Sequence, residues 1–563
     1  MNPSESPPAE VRVTRHEGAD DLLSAGLGLA GLRAPAAPAP ADPAAPTAAE
    51  LRRRALHANW RGIADLADPA FPPLTAVPGR EYSTFLRASG ATQPHRVLVQ
   101  VPDGLDAGKR CLVVAAASGS RGVYGPIAVA GAWALPRGCA VVYTDKGNGT
   151  GFHDFDSDTG VALDGTRASR GAVALELDPP YTVSEPHRVA IKHAHSGDNP
   201  EADWGRHVQQ AAAFGLHALD LAFPTQAPFT PENTRILATG ISNGGGAVLR
   251  AGELPEATQW FEAVVVGEPN VVAPGARPFY DVATEAALYQ PCALLALSHA
   301  PALLPDAAWR AAATARCASL RAAGLLDGDT PAAQGADALA RLRAGGWTDG
   351  ALDLAGVNVG FDLWRAIAAT YVHAYARATP AESLCGYAFA ALGPDGAPRA
   401  TSAGERALWW SDASGIPPTA GVELVDALAG GPDPALPGLR CARAAWTGDD
   451  GLARRLRAGV EATRASAVPR APITLIVHGQ DDGLVPIGFT SRPYALRARA
   501  TPGFRFWELP RAQHFDAFLA MPVLRERYVA LIPHLHRALD HAWAAITEGR
   551  EVPPSGTDGV PPP

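Results

Sequence analysis

The chain has 563 residues, 47% of them hydrophobic and 19% charged, and a formal net charge of −9. That length predicts roughly two to four domains with a substantial core, and the composition is globular. The acidic balance argues against a nucleic-acid partner, which would want a basic face, and no apolar run approaches the ~18 residues that cross a membrane.

In chain order, the start "MNPSESPPAEVRVTRHEGADD" has neither a basic opening nor an apolar stretch, so no secretory signal is visible. As written the chain is expected to be cytoplasmic, and exported only if a leader precedes Met1. Residues 1–60 read as an extended linker because of the Pro/Ala-rich "RAPAAPAPADPAAPTAAE"; helical spacing begins with "AAELRRRALHANWRGIADL". From 61 to 270, short β-branched runs end at Gly/Asp-rich loops and alternate with helical stretches: "HRVLVQVPDG", "CLVVAAASGSRG", "CAVVYTDKGNGTG", the helix "WGRHVQQAAAFGLHALDLAF", then "RILATGIS" and "AVVVGEPN". Nearly continuous apolar runs suit parallel strands covered on both faces. The fold class is therefore α/β, a doubly wound, mostly parallel sheet with ligands at the carboxyl ends of its strands.

Residues 271–469 are Ala/Leu/Arg-rich and helical in pattern, and interrupt the alternation before "ITLIVHGQDDG" resumes it. They are expected to form a cap over the carboxyl edge of the sheet. Residues 470–548 complete the core with "FRFWEL" and the helix "RERYVALIPHLHRALDHAWAAI", and 549–563 read as a disordered tail. Six cysteines show no C-x-x-C pair and no zinc-like spacing with histidine, so no metal site is expected. Cys111 and Cys139 open apolar runs and read as buried free thiols; the other four, Cys292, Cys317, Cys385 and Cys441, leave room for one or two bridges.

The chemistry is signalled by "GISNGGG", where Gly240, Ser242 and Gly244 spell G-x-S-x-G between a strand and a helix. That is the elbow on which an α/β-hydrolase presents a nucleophilic serine. Gly245 and Gly246 exceed what the elbow requires and are expected to let substrate or the cap lie close to the helix start. The serine needs a base and the base an acid, in the chain order Ser, Asp/Glu, His. "HGQDDGLVP" supplies Asp482, with Asp481 expected to cap the turn and His478 to be structural. "LPRAQHFDAF" supplies His514 in the loop after the last strand, with Asp516 as a candidate to support it from behind. His534, His536 and His541 fall on the final helix and read as packing or surface residues. The oxyanion hole is expected from the N–H of Asn243 and one N–H of the "ASGSRG" loop, where Ser118, Gly119 and Ser120 are candidates and Ser120 is preferred. Arg121 and Lys146, on loops at the carboxyl ends of strands, are candidates to bind an anionic substrate group.

With these residues in place, the chain resembles the 3-hydroxybutyrate oligomer hydrolases. The likeness rests on "SGSRGVYG" (118–125), "GCAVVYTDKGNGTGFHD" (138–154), "KHAHSGDNPEADWG" (192–205), "GISNGGGAVLRAGE" (240–253), "VVVGEPNV" (264–271), "DLWRAIAATYVHAYAR" (362–377) and "HGQDDGLVP" (478–486). It implies a serine esterase that cleaves short linear D-3-hydroxybutyrate oligomers to monomers, with no cofactor, and maps the family's nucleophile onto Ser242. A more distant likeness to tannases and feruloyl esterases makes aromatic esters the alternative substrate class.

Overall fold

The computed structural model describes residues 10–562 apart from 107, 182, 299–303 and 305–307. One sheet organises the molecule. Its nine strands are β1 (Arg12–His16), β2 (Gly79–Leu86), β3 (His95–Pro102), β4 (Cys111–Ala116), β5 (Ala140–Thr144), β6 (Arg235–Ile241), β7 (Ala263–Gly267), β8 (Ile473–Gly479) and β9 (Phe504–Leu509). They lie in the order β1-β2-β3-β5-β4-β6-β7-β8-β9. Every neighbouring pair from β5 to β9 is parallel, whereas β1, β2 and β3 run antiparallel to their neighbours. This is the doubly wound, mostly parallel α/β-hydrolase sheet.

The apolar runs are explained by two-sided burial. On β4, Cys111, Val113 and Ala115 enter one hydrophobic cluster, while Leu112, Val114 and Ala116 enter another on the opposite face. Alternate side chains of a strand point to opposite faces, so a strand covered on both sides has no polar positions to spare. The helix Trp204–Ala222 buries Val208, Ala211, Ala212 and Leu219 on one face of the sheet. The helix Ile532–Glu548 buries Leu535, Ala538, Leu539 and Ala542 on the other. That last helix begins later than its hydrophobic pattern implies, with Pro533 in its first turn, where a missing N–H costs no hydrogen bond. His536 Nε2 meets the Val129 carbonyl at 3.0 Å, and His534 Nδ1 accepts from the Val560 N–H. Among the described residues no helix is long and apolar enough to cross a membrane.

Three expectations are corrected. Residues 10–60 are built into the fold: β1 pairs along β2, and the helix Ala48–Arg61 starts on a capping box between Thr47 and Glu50. From that helix Arg52 reaches Glu81 at 2.9 Å. The tail is ordered as well. Gly556 exchanges backbone hydrogen bonds with Phe506 and Glu508, Trp507 Nε1 donates to the Pro554 carbonyl at 2.8 Å, and Val560 is buried. The tail thus covers the outer edge of β9, an edge that would otherwise expose unpaired backbone groups. Finally, Cys111 and Cys139 are joined in a disulfide, beside Cys292–Cys317 and Cys385–Cys441. The parallel register that sets Leu112 opposite Ala140 brings the two preceding cysteines together, with Cα atoms 4.8 Å apart. Nothing local in the sequence reports which strands are neighbours.

The chain between β7 and β8 carries the helices Phe279–Ala293, Trp309–Ala322, Pro331–Ala344, Leu363–Tyr375, Leu436–Thr447 and Gly451–Glu461. It also holds a small sheet of Tyr387–Leu392, Pro398–Arg399 and Glu423–Asp426. Its aromatic and aliphatic side chains form most of a separate hydrophobic cluster.

Asp516 does not support His514; its carboxylate accepts the N–H groups of Leu531 (2.6 Å) and Ile532 (2.9 Å) at the start of the last helix. Burial pushes its carboxyl up to about 7, against the pull of those two bonds. Two predictions follow from these observations. Truncation after Glu551 strips the cover from β9, so the melting temperature should fall and self-association should appear by light scattering. Between about pH 4, where a free Asp titrates, and about pH 7, folded Asp516 keeps a proton that the unfolded chain has released. Its contribution to stability therefore falls as pH rises through that window. Asp516→Asn should gain on the wild type from pH 4 to 7 in denaturant titrations; a pH-independent difference would contradict the assignment.

Candidate active site

β6 ends at Ile241 and the next helix starts at Asn243, so Ser242 alone turns the chain, at φ 56° and ψ −129°. A side chain in that region is strained and persists only where its surroundings enforce it. The enforcement is backbone packing. A Cβ on Gly240 would lie 2.7 Å from the Gly244 carbonyl, and one on Gly244 would lie 2.2 Å from the Ala116 oxygen at the end of β4. Gly245 and Gly246 are required by the backbone around them: their Cβ atoms would strike the Gly267 oxygen at 2.9 Å and the Asn270 oxygen at 2.0 Å. The glycine run lets the helix Asn243–Ala251 wedge between the carboxyl ends of β4 and β7.

Three residues far apart in the chain form one line of hydrogen bonds. Ser242 Oγ lies 2.9 Å from His514 Nε2, and His514 Nδ1 lies 2.7 Å from Asp482 Oδ2. Ser242, His514 and Asp482 are all buried. Asp482 follows β8 and His514 follows β9, so both descend from carboxyl ends of the sheet beside the elbow. Asp482 Oδ1 accepts the N–H groups of Leu484 (2.8 Å) and Val485 (2.7 Å), so the acid caps its own turn and Asp481 does not. His478 braces that turn, with Nδ1 2.6 Å from Ser491 Oγ and Nε2 reaching both the Val485 carbonyl and Asp482 Oδ2. Burial raises the Asp482 carboxyl, but the facing charge of His514 and hydrogen bonds from His478 and His514 outweigh it and hold the group below the usual carboxylate range. Asp482 therefore stays ionised at neutral pH.

Beside the serine, Gly119, Ser120 and Asn243 line a cleft of about 320 Å³. Among the described residues neither the Asn243 N–H nor the Ser120 N–H is given to a protein acceptor. The Ser120 side chain is anchored by His193 Nδ1 at 2.7 Å, and Gly415 N–H donates to its carbonyl at 2.8 Å. Arg121 lines the cleft; Lys146 does not. Lys146 is wholly buried behind the loop, where its Nζ donates to the Gly119 carbonyl at 2.7 Å, so it is corrected from a substrate contact to a support of this loop. Burial pushes its ammonium down to about 7.

The rest of the cleft is mostly apolar and comes largely from the chain between β7 and β8: Phe279, Phe361, Ile367 and Ile416, with Leu484 and Phe515 closing the other side. Tyr371 of the helix Leu363–Tyr375 was not singled out from sequence. Its hydroxyl accepts from Asn243 Nδ2 at 2.9 Å, and its ring lies 4.8 Å from that of His193. One turn on, the Tyr375 hydroxyl donates to Glu201 at 2.5 Å. The signal was the pair of tyrosines four residues apart in "YVHAY", which share a helix face; nothing in it says which loop that face meets.

The sequence profile of the family described as 3HB-oligomer hydrolase (3HBOH) matches residues 2–70 and 74–557. The D-(-)-3-hydroxybutyrate oligomer hydrolase of Paracidovorax citrulli (strain AAC00-1) is 37% identical, covering 97% of this chain and 88% of its own. The protein of the same name from Burkholderia pseudomallei (strain 668) is 38% identical, covering 97% and 87%. Among solved structures, feruloyl esterase B from Aspergillus oryzae aligns over 87% of this chain and 85% of its own, at 13% identity and a TM-score of 0.38. With a family profile spanning nearly its whole length and relatives this similar end to end, the chain belongs to the 3HB-oligomer hydrolase family.

Proposed function

We propose that this protein is a serine esterase that hydrolyses short D-3-hydroxybutyrate oligomers to monomers through an acyl-enzyme. The observation that carries the reading is the unbroken line from Ser242 through His514 to Asp482 at the floor of an apolar cleft, in a chain of this family. Ser242 Oγ attacks the ester carbonyl as His514 Nε2 takes its proton, and ionised Asp482 stabilises the resulting imidazolium. The N–H groups of Asn243 and Ser120 receive the developing oxyanion; one such donor is worth about 3 kcal/mol of barrier. His514 then protonates the departing hydroxybutyrate alcohol. Water, activated by the same histidine, releases the acyl group from Ser242. This route draws on no metal or cofactor. The aromatic and aliphatic roof supports a thin, soluble ester chain as substrate in preference to a solid polymer surface.

Incubation with defined D-3-hydroxybutyrate oligomers should yield monomer by chromatography, faster than from insoluble polymer film or a feruloyl ester. Ser242→Ala should abolish both this turnover and labelling by a fluorophosphonate probe; a labelled, active Ser242→Ala would remove the nucleophile from the scheme. Asp482→Asn should fold, yet lose roughly 10⁴-fold in kcat with a much smaller change in KM, because the histidine is left in the wrong tautomer. Steady-state kinetics on the soluble trimer measure this.

A further inference from the structure

Arg121 stands out once the cleft is lined residue by residue. It is the one charged side chain among the described residues that form the wall, and the rest of that wall is apolar or neutral. It directly follows Ser120, so it sits on the loop proposed to hold the oxyanion. Its guanidinium donates through Nη2 to the Gly62 carbonyl at 3.0 Å and lies 5.7 Å over the ring of Phe515, next to His514. Nη1 is buried without a hydrogen-bond partner. Among the described residues only Asp412 reaches the Arg121 guanidinium with its charge, and no carboxylate hydrogen-bonds it. Asp412, whose charge does reach it, is engaged with the Thr419 hydroxyl at 2.8 Å and the Ala413 N–H at 2.6 Å. Burial lowers the guanidinium to about 10 despite Asp412.

A half-buried cation without its own ion-pair partner is costly, and tying down the Gly62 carbonyl would need only a neutral donor. The position of Gly62 shows how closely the guanidinium is seated: a Cβ there would lie 2.4 Å from Nη1 and 2.6 Å from Nη2. A guanidinium beside an apolar cleft, with one nitrogen left unpartnered, suits a carboxylate. A linear hydroxyalkanoate oligomer carries one carboxylate, at one end, and esters along an otherwise apolar chain. We infer that Arg121 is the residue that recognises the terminal carboxylate of the oligomer, drawing that end to the oxyanion-loop side of the cleft while an ester lies over Ser242. The inference rests on the oligomer-hydrolase reading, and it adds a requirement for a free acid end.

The test compares 3-hydroxybutyrate trimer with its methyl ester, in which only the terminal charge is removed. The wild type should favour the free acid in kcat/KM by about 10- to 100-fold, the value of a charge-assisted hydrogen bond. Arg121→Gln should shrink that preference at least tenfold, mainly through KM for the acid, and Arg121→Lys should restore part of it. Gly62→Ala, which displaces the guanidinium while keeping it, should weaken the preference in the same direction. Equal losses on acid and methyl ester in Arg121→Gln, or an acid preference that survives both variants, would overturn the assignment and leave Arg121 a structural tie to Gly62. A wild type that cleaves neither trimer would instead defeat the oligomer-hydrolase reading itself.

Discussion

The structure turns on one backbone contact: the start of the helix Asn243–Ala251 pressed against the ends of β4 and β7. A Cβ on Gly244 or Gly246 would fall 2.2 Å or less from a carbonyl oxygen, so the helix reaches its place only without side chains there. That placement forces Ser242 into its left-handed φ and turns its hydroxyl toward His514. Strain of this kind is held by the surrounding sheet, whose strands are buried on both faces and have little freedom to relax.

A second layer of support lies beneath the cleft. The "TDKG" segment after β5 places Asp145 against Lys192 at 2.6 Å and Lys146 against the Gly119 carbonyl, so two buried lysines steady the loops around the serine. On the opposite side, Tyr371 binds the Asn243 side chain, and Asn270 Nδ2 donates to its amide oxygen at 2.8 Å. Asn243 is thus held by the helix Leu363–Tyr375 and by the loop after β7. Roof and sheet share polar contacts at this point as well as apolar ones.

Much of this was legible in the sequence, and the reasons differ by residue. Most sheet strands from His95 onward announced themselves as apolar runs ending in Gly/Asp loops, although "FRFWEL" of β9 mixes charged and apolar residues. Ser242, Asp482 and His514 stood out because each lies in a short local pattern at the carboxyl end of such a run. β1 and β2 escaped notice: "RVTRH" and "GREYSTFL" mix charged and apolar residues at an antiparallel edge, where no continuous run is required. The Cys111–Cys139 bridge and the tail along β9 depend on which strands are neighbours, a property of the whole chain. Lys146 read as a candidate substrate contact because a lysine in a Gly-rich loop has no local mark of burial; its partner is the carbonyl of Gly119 in another loop.

The insertion of the roof between β7 and β8 has a consequence for assembly. These two strands are adjacent in space yet separated by about a third of the chain, so their pairing closes a very large loop. That segment collects most of one hydrophobic cluster, and two of the three disulfides lie wholly inside it. Its own compaction draws the two ends toward one another and shortens the effective span to be closed. Asp482 and His514 arrive only with β8 and β9, so the line of hydrogen bonds from Ser242 is complete only once the final stretch of polypeptide has docked.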